Sequence, residues 1–583
     1  MVKNILKKSL YLKQLARRLR LKYYQPEWSR IISADKGLWD KALNSDIESN
    51  ILIATSIGGY LPGVTLESLL AVALTLRKSK VHILLCDKVL PACLDCTLGI
   101  SVSEQELAHF GPQKSLCNSC FRYSDNTYKA LRLKVHYYSE FLTKEDLELA
   151  ASISGSLNLS EIENYVLNGL AVGEHAMAGA LRFYAKATME NERYSEAILR
   201  RYLEAALLTV FAIENMVRKN EFDCAVFHHG IYVPQGLIGE VLRSHKIRVV
   251  NWNPAYRKSC FIFSHNNTYH RTLLAEPTEK WENMRWGKTI EKELLDYLKS
   301  RWHGTKDWIW FHEKPRFDIK NIKKELSIDF SKPCIGLLTN VLWDAKLHYE
   351  TNVFASMVDW VIQTIEYFQK RPDLQLIIRV HPAEIRGTVP SRQPIEKEIK
   401  SAFPRLANNI FVIPASSNIS TYILMEKCDS VIIFGTKSGV ELTSMGIPVI
   451  VAGEAWIKNK GVTFDPKNID EYFKLLDNLP FRKNMDNEKL KRAYRYAYHF
   501  FFRRMIPVNK IKKISNNLDR FLGIIYKMRA NNLIEFLPGK DKGLDVICDG
   551  IIYGNDFIYH AEENSIDFRH DKDLKCKFAC TAP

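Results

Sequence analysis

The sequence predicts an α/β protein with two doubly wound, Rossmann-like parallel-sheet domains. Residues 51–60, "ILIATSIGGY", open a strand–loop–helix–strand alternation that runs on through "TLESLLAVALTLRKSK" and "VHILLCD". A second and cleaner alternation begins at "PCIGLLTN", residue 333. Short, continuously apolar runs between helix-length segments are what a strand buried on both faces requires, and such alternation winds into a parallel sheet wrapped by helices. The length of 583 residues supports more than one domain, because single cores rarely grow past about 250–300 residues.

Residues 1–47 form a basic amphipathic segment. Eight Lys or Arg fall in the first 22 residues, half of the formal net charge of +16, and the first acidic residue is Glu27. Leu12, Leu15, Ala16 and Leu19 follow helical spacing between Lys13, Arg17, Arg18 and Arg20. This fits a helix lying on an anionic membrane surface, and equally a solvated terminal helix packed on its own protein. A nucleic-acid arm is disfavoured, since no second basic and aromatic cluster follows. The start lacks the apolar core and small-residue cleavage site of a secretory signal, and no stretch reaches the ~20 apolar residues of a membrane span. Twelve Cys, mostly isolated among apolar residues, suit a reducing compartment. The expectation is a cytoplasmic protein, peripheral on the inner face of the plasma membrane.

The first domain is expected over 48–270, with "DCAVFHHG", "PQGLIGEVLRSHK" and "IRVVNWN" as its later strand, helix and strand. Charged, Trp-rich pieces over 271–330 read as an interdomain helical connection, 331–480 as the second domain, and 481–530 as C-terminal helices. The tail, 531–583, gives no reading. Two doubly wound domains with a helical return point to the GT-B architecture, whose ligands sit outside the carboxyl ends of the strands.

At those ends, "LQLIIRVHPAE" places His381 and Pro382 directly after a strand, where an imidazole can donate to a phosphate or leaving-group oxygen. "SVIIFGTKSGVELTSMG" runs strand, Gly435, Thr436, Lys437, Ser438, Gly439, then helix. Small residues admit a ligand close to the backbone, and a helix start favours phosphate. Thr436 and Ser438 add hydroxyls, and Glu441 in the first turn can accept from ribose; simple N-capping and a favourable helix-start charge are the plainer readings. Together these residues predict a nucleotide-binding site. The glycines Gly58, Gly59 and Gly63 match neither a Rossmann fingerprint nor a P-loop, so they are expected to shape an acceptor side. No Asp-x-Asp pattern sits at a strand end, and no catalytic metal is expected.

These segments, with "GVTFDPKNIDEYFKLL" and "YRYAYHFFFRRMIP", resemble the capsular polysaccharide biosynthesis glycosyltransferases, relatives of the Kdo transferases, over roughly 330–510. "FHHGIYVPQGLIGEVLRSHKIRVVNWN" extends the likeness more loosely. The resemblance implies an inverting transferase with a cytidine-nucleotide donor, CMP-Kdo-like or CMP-sialic-acid-like first and CDP-alcohol second. It implies a glycan or lipid-linked glycan acceptor, His381 and Ser438 on the donor phosphate, and Glu441 on the ribose. The acidic motif that supplies the base in several sialyltransferases is absent from the first domain. An inverting transfer needs a base near pH 7, and Glu174, His229, His228 and Asp87 are the candidates, Glu174 first and His229 next.

Cys93-x2-Cys96 and Cys117-x2-Cys120 match the spacing of a four-thiolate zinc ribbon inserted over 86–122. Four thiolates close the coordination sphere, so such a zinc would be structural. An iron–sulfur cluster is its main competitor, and Cys86 is a further thiol nearby. The competing functional classes are a UDP-sugar-dependent GT-B transferase, a GT-B-fold nucleotide-sugar epimerase and a zinc-ribbon nucleic-acid-binding protein.

Overall fold

The computed structural model describes residues 9–311, 314–344, 347, 349–481, 485–514 and 525–564. The chain divides into two compact units, Met1–Tyr269 with Trp343–Leu347 and Met505–Tyr559, and His270–Leu342 with His348–Arg504 and His560–Pro583.

The first unit is built on strands β1 (Ser49–Ser56), β2 (Ser79–Leu85), β3 (Lys134–Tyr137), β4 (Cys224–His228), β5 (Arg248–Pro254) and β6 (Cys260–His265). Their order is β6-β5-β4-β1-β2-β3, with Ile506–Pro507 as a short strand outside β6. The five from β5 to β3 pair in parallel, while β6 pairs antiparallel with both β5 and the short strand. The helix Leu61–Thr75 is buried at every position. A helix that is apolar all round needs cover on more than its sheet side, and the C-terminal helix Lys542–Tyr553 supplies it. Arg77 on the far end of that first helix pairs with Asp545 at 2.5 Å and donates to the carbonyl of Phe536 at 2.9 Å. Residues 505–559 therefore return to the first unit, which the sequence reading of 481–583 did not place.

The second unit holds β7 (Cys334–Leu338), β8 (Gln375–Arg379), β9 (Ile410–Ile413), β10 (Ser430–Ile433) and β11 (Val449–Val451) in the order β11-β10-β7-β8-β9, all parallel. The segment read as an interdomain connection packs into this unit. Trp281 is fully buried against Tyr496, ring centroids 5.2 Å apart. Arg495 donates to the carbonyls of Glu282 and Met284.

The ribbon expectation changes. The 86–122 insertion is helical where a ribbon would be built on hairpins. It contains the helix Glu104–Phe110, a single wide turn at Gln113–Cys117 and the start of the helix Asn118–Lys129, with one isolated bridge between Leu98 and Val102. Among the described residues no group of three or more His, Cys, Asp or Glu is arranged to hold a metal ion. The basic helix, Leu10–Tyr23, packs on that insertion: Lys13 donates to the carbonyl of Gly99, Gln14 to that of Ser101, Arg17 pairs with Asp95, and Leu21 is fully buried.

A Cβ on Gly543, at the start of the C-terminal helix, would lie 1.8 Å from the carbonyl oxygen of Pro507. Gly543→Ala is expected to push that helix off the first unit and lower stability by about 1–3 kcal/mol, measured by urea unfolding; an unchanged midpoint would contradict the packing described.

Candidate functional site

Both parallel sheets run in the order third, second, first, fourth, fifth from one edge, so each reverses its winding direction beside its first strand. Ligands of open α/β sheets bind at such a reversal, outside the carboxyl ends. In the second unit the reversal lies between β7 and β10, and it gathers the predicted donor residues.

Thr339 and Asn340 follow β7. The Oγ1 of Thr339 accepts from the His381 N–H at 3.1 Å, tying the end of β8 to that of β7. Asn340 Nδ2 donates to the Gly435 carbonyl at 2.7 Å, tying β7 to the loop after β10. His381 is half-buried, edge-on to Phe311 at 5.6 Å, and its Nδ1 accepts from the Ala383 N–H at 3.0 Å. That bond leaves the ring proton on Nε2 and makes His381 a donor through that atom. Pro382 begins the turn that brings the Ala383 N–H back to the ring. A hydrogen-bond donor at this strand end is what the sequence predicts for His381.

Gly435, Thr436, Lys437 and Ser438 are half-buried. Thr436 Oγ1 accepts from the Ser438 N–H at 3.3 Å, one residue ahead of the N-cap Lys437, which itself makes no side-chain cap. Gly435 leaves room on its side-chain face, where an added Cβ would meet only the Glu454 carbonyl, at 3.3 Å. Gly439 is small for a different reason: a Cβ there would lie 2.7 Å from Ile433 and Ile457, so it serves packing.

Glu441 departs from expectation. It is 2% exposed, and its carboxylate accepts from Arg301 at 2.7 Å, from Lys437 at 2.9 Å and from Tyr422. Burial alone would raise its pKa; Arg301 first, then Lys437 and the hydrogen bonds from Lys437 and Tyr422, override this and hold it at about 2. Arg301 also pairs with Asp307, and both are nearly inaccessible. The ribose contact predicted for Glu441 does not fit this position: the carboxylate is the centre of a buried ion network that anchors the helix Ser438–Ser444. Breaking one partner of such a network leaves an uncompensated charge.

The first unit's reversal lies between β1 and β4. It brings Tyr60 of the glycine loop against His228, 4.6 Å between rings, with Trp252 at 4.7 Å on the other side. His229 adopts a left-handed backbone, φ 65°, and stacks on Tyr232 at 5.0 Å. Burial, then Arg182, pushes the His229 pKa down to about 3, and burial, with the neighbouring His229, lowers that of His228 as well. Both stay neutral and are weak proton acceptors. Glu174 is half-buried in the first turn of the helix Val172–Tyr184. Asp87 accepts from the Ser139 N–H and hydroxyl. Two glycines of the loop are held small by packing: a Cβ on Gly58 would lie 1.8 Å from Ser124 Oγ, and one on Gly59 2.0 Å from Asp95.

The sequence reading missed Glu67. This helix residue is 1% exposed and accepts from Trp252 Nε1 at 2.8 Å. Thr339 and Asn340 were also missed, although a Thr-Asn pair ending an apolar strand is a legible signal.

Residues 340–499 match the capsule polysaccharide biosynthesis protein family. The capsule-synthesis match begins at Asn340 and takes in His381 and the Gly435–Glu441 segment, and it is the family the motifs resemble. No curated protein matches the chain. Among solved structures, the chain is similar to the beta Kdo 2,4 transferase of Thermosulfurimonas dismutans KpsC at 13% identity, covering 49% of this chain and 83% of that one, with a TM-score of 0.33. It is similar to the beta Kdo 2,7 transferase of the same protein at 13% identity, 54% and 85% coverage and a TM-score of 0.29. The UDP-GlcNAc 2-epimerase from Neisseria meningitidis follows at 11% identity, 76% and 94% coverage and a TM-score of 0.22.

Burial raises the Glu67 carboxyl from 4.5 to about 7, with the hydrogen bonds from Trp252 and Thr55 opposing. The folded state thus holds a proton that the unfolded chain releases; the associated stability is full below pH 4.5 and is lost as pH rises through about 7. Glu67→Gln keeps the acceptor for Trp252 and carries no charge. Thermal unfolding should show it more stable than the parent at pH 8 by about 3 kcal/mol and indistinguishable at pH 4; a deficit at pH 8 would contradict the burial argument.

Proposed function

We propose that the chain is an inverting glycosyltransferase of GT-B architecture that moves a sugar from a cytidine-nucleotide donor onto a capsule or other surface polysaccharide, or its lipid-linked primer. The observation that carries this reading is the capsule-synthesis match falling on the unit whose sheet reversal assembles Asn340, His381 and Gly435–Ser438. The two parallel sheets support the architecture.

In this reading the donor phosphate lies at the β7–β10 reversal. His381 donates to it through Nε2–H, Ser438 through its hydroxyl, and the backbone at Gly435 comes close because no side chain intervenes. The acceptor hydroxyl oxygen attacks the anomeric carbon. The bond from that carbon to the phosphate oxygen breaks, its electron pair leaving with cytidine monophosphate, while the hydroxyl proton passes to a base and the configuration inverts. Donors placed where charge develops lower the barrier because they need no reorganisation.

The base candidates are residues of the first unit. His228 and His229 are too weakly basic, since their protonated forms are disfavoured by burial. Glu67 has the proton affinity but almost no exposure. Glu174, half-buried at a helix start, keeps the role. Assayed against CMP-, CDP- and UDP-linked donors with a capsule-type acceptor, the protein should release CMP from a CMP-sugar. His381→Ala should retain its fold by circular dichroism and lose about 10²–10³ in kcat. Release from no donor, or normal turnover by the variant, would overturn the assignment.

The exposed face of the helix Leu10–Tyr23 supports a peripheral membrane placement. With Lys13, Gln14 and Arg17 turned to the protein, Tyr11, Leu15, Leu19 and Tyr23 are left exposed alongside Arg18 and Lys22. Apolar and basic groups on one face suit anionic headgroups. Sedimentation with phosphatidylglycerol vesicles but not phosphatidylcholine vesicles is expected, and its loss in Leu15→Glu/Leu19→Glu; equal recovery with both lipids would refute the placement.

A further inference from the structure

The first unit contains a small cavity at the carboxyl ends of β1 and β2, and its wall is rich in sulfur. Cys86, Cys93, Cys117 and Cys120 all line it, together with Asp95. They arrive from three segments: the end of β2, the loop that follows, and the start of the helix Asn118–Lys129. Cys96 is not among them. It is fully buried in the main core cluster of the unit, beside residues such as Tyr202 and Phe183. The thiols that line the cavity are thus not the set that two Cys-x2-Cys pairs suggest: Cys96 packs in the core cluster with its side chain in hydrogen-bonding contact with Cys93, and Cys86 is the fourth thiol at the cavity wall.

The surroundings are built to hold sulfur. The Gly59 N–H donates to Cys120 Sγ at 3.0 Å, a contact that favours a sulfur carrying negative charge. It is possible only because Gly58 and Gly59 let the loop press onto the helix, where a side chain on either would collide with Ser124 or Asp95. Arg17 pairs with Asp95, and Lys88 lines the same cavity, so two cations stand near the thiols.

We propose that this cavity binds one thiophilic divalent cation of the zinc type through Cys86, Cys93, Cys117 and Cys120. Four thiols give up four protons to the solvent and form four metal–sulfur bonds, leaving a site of net charge −2 beside Arg17 and Lys88. The four side chains are not yet arranged to hold a metal ion; exchange of their protons for the cation draws the sulfurs to about 2.3 Å from it. With all four positions taken by sulfur, the metal braces the insertion on which the basic helix rests and takes no part in transfer.

The test uses the full chain purified without chelator, its metal content measured by mass spectrometry, and then the chelated, still folded protein titrated with Co²⁺. About one zinc per chain is expected, and Co²⁺ should give intense sulfur-to-metal charge-transfer bands with the visible bands of a tetrahedral four-thiolate site. Cys86→Ser should lose both signals, whereas Cys96→Ser should keep them. A chain without zinc whose chelated form gives no such Co²⁺ spectrum would overturn the site. Loss of metal in Cys96→Ser with retention in Cys86→Ser would overturn the ligand set in favour of the paired spacing. If Cys86→Ser does not fold, Cys86→Ala and the Co²⁺ spectrum of the parent, whose charge-transfer intensity reports the number of thiolates, decide the same question.

Discussion

A parallel sheet whose crossovers change direction beside its first strand leaves two neighbouring strand ends uncovered, and this constraint determines where each unit can bind anything. Both sheets obey it, yet they treat the opening differently. In the first unit the rings of Tyr60, His228 and Trp252 fill it. In the second the same place is lined by Thr339, Asn340, His381, Gly435, Thr436 and Ser438, which are small or polar and tied to one another through backbone groups. A cleft lined by small hydrogen-bonding residues suits a phosphate; a stack of buried rings does not.

Holding that opening in shape falls to a buried charge network. Glu441 is on the helix that follows Gly435–Lys437, and Arg301, on a helix far earlier in the chain, grips it while also pairing with Asp307. Such groups gain little net stability from burial, since desolvation offsets most of the attraction. Their effect is to fix one position for the helix start, because any displacement strands a charge in an apolar interior.

The strand ends were legible in the sequence because "IIRVHP" and "VIIFGTKSG" each pass from a continuous apolar run to small or polar residues within a step or two. Glu441 was misread because its partner Arg301 lies 140 positions away, in a segment whose charge pattern looked like a connector. Spacing reveals pairs, and only the fold shows that Cys86, single after β2, lines the same cavity as Cys93, Cys117 and Cys120. The return of residues 505–559 was invisible because its cause, a helix at 61–75 apolar on every side, becomes a demand for further cover only when the sheet side is known. The basic helix gave two even readings, and the structure realises one face of each: Lys13, Gln14 and Arg17 bind the protein while Leu15 and Leu19 stay exposed.

The central claim is that the reversal beside β7 holds the donor nucleotide, with His381 acting as a donor through Nε2. A crystal structure of the full chain with cytidine monophosphate tests it most directly. The account predicts a phosphate oxygen within hydrogen-bonding distance of His381 Nε2 and of the Ser438 hydroxyl, beside Gly435. A nucleotide bound elsewhere, or one at this place with His381 turned away from its phosphate, would contradict it.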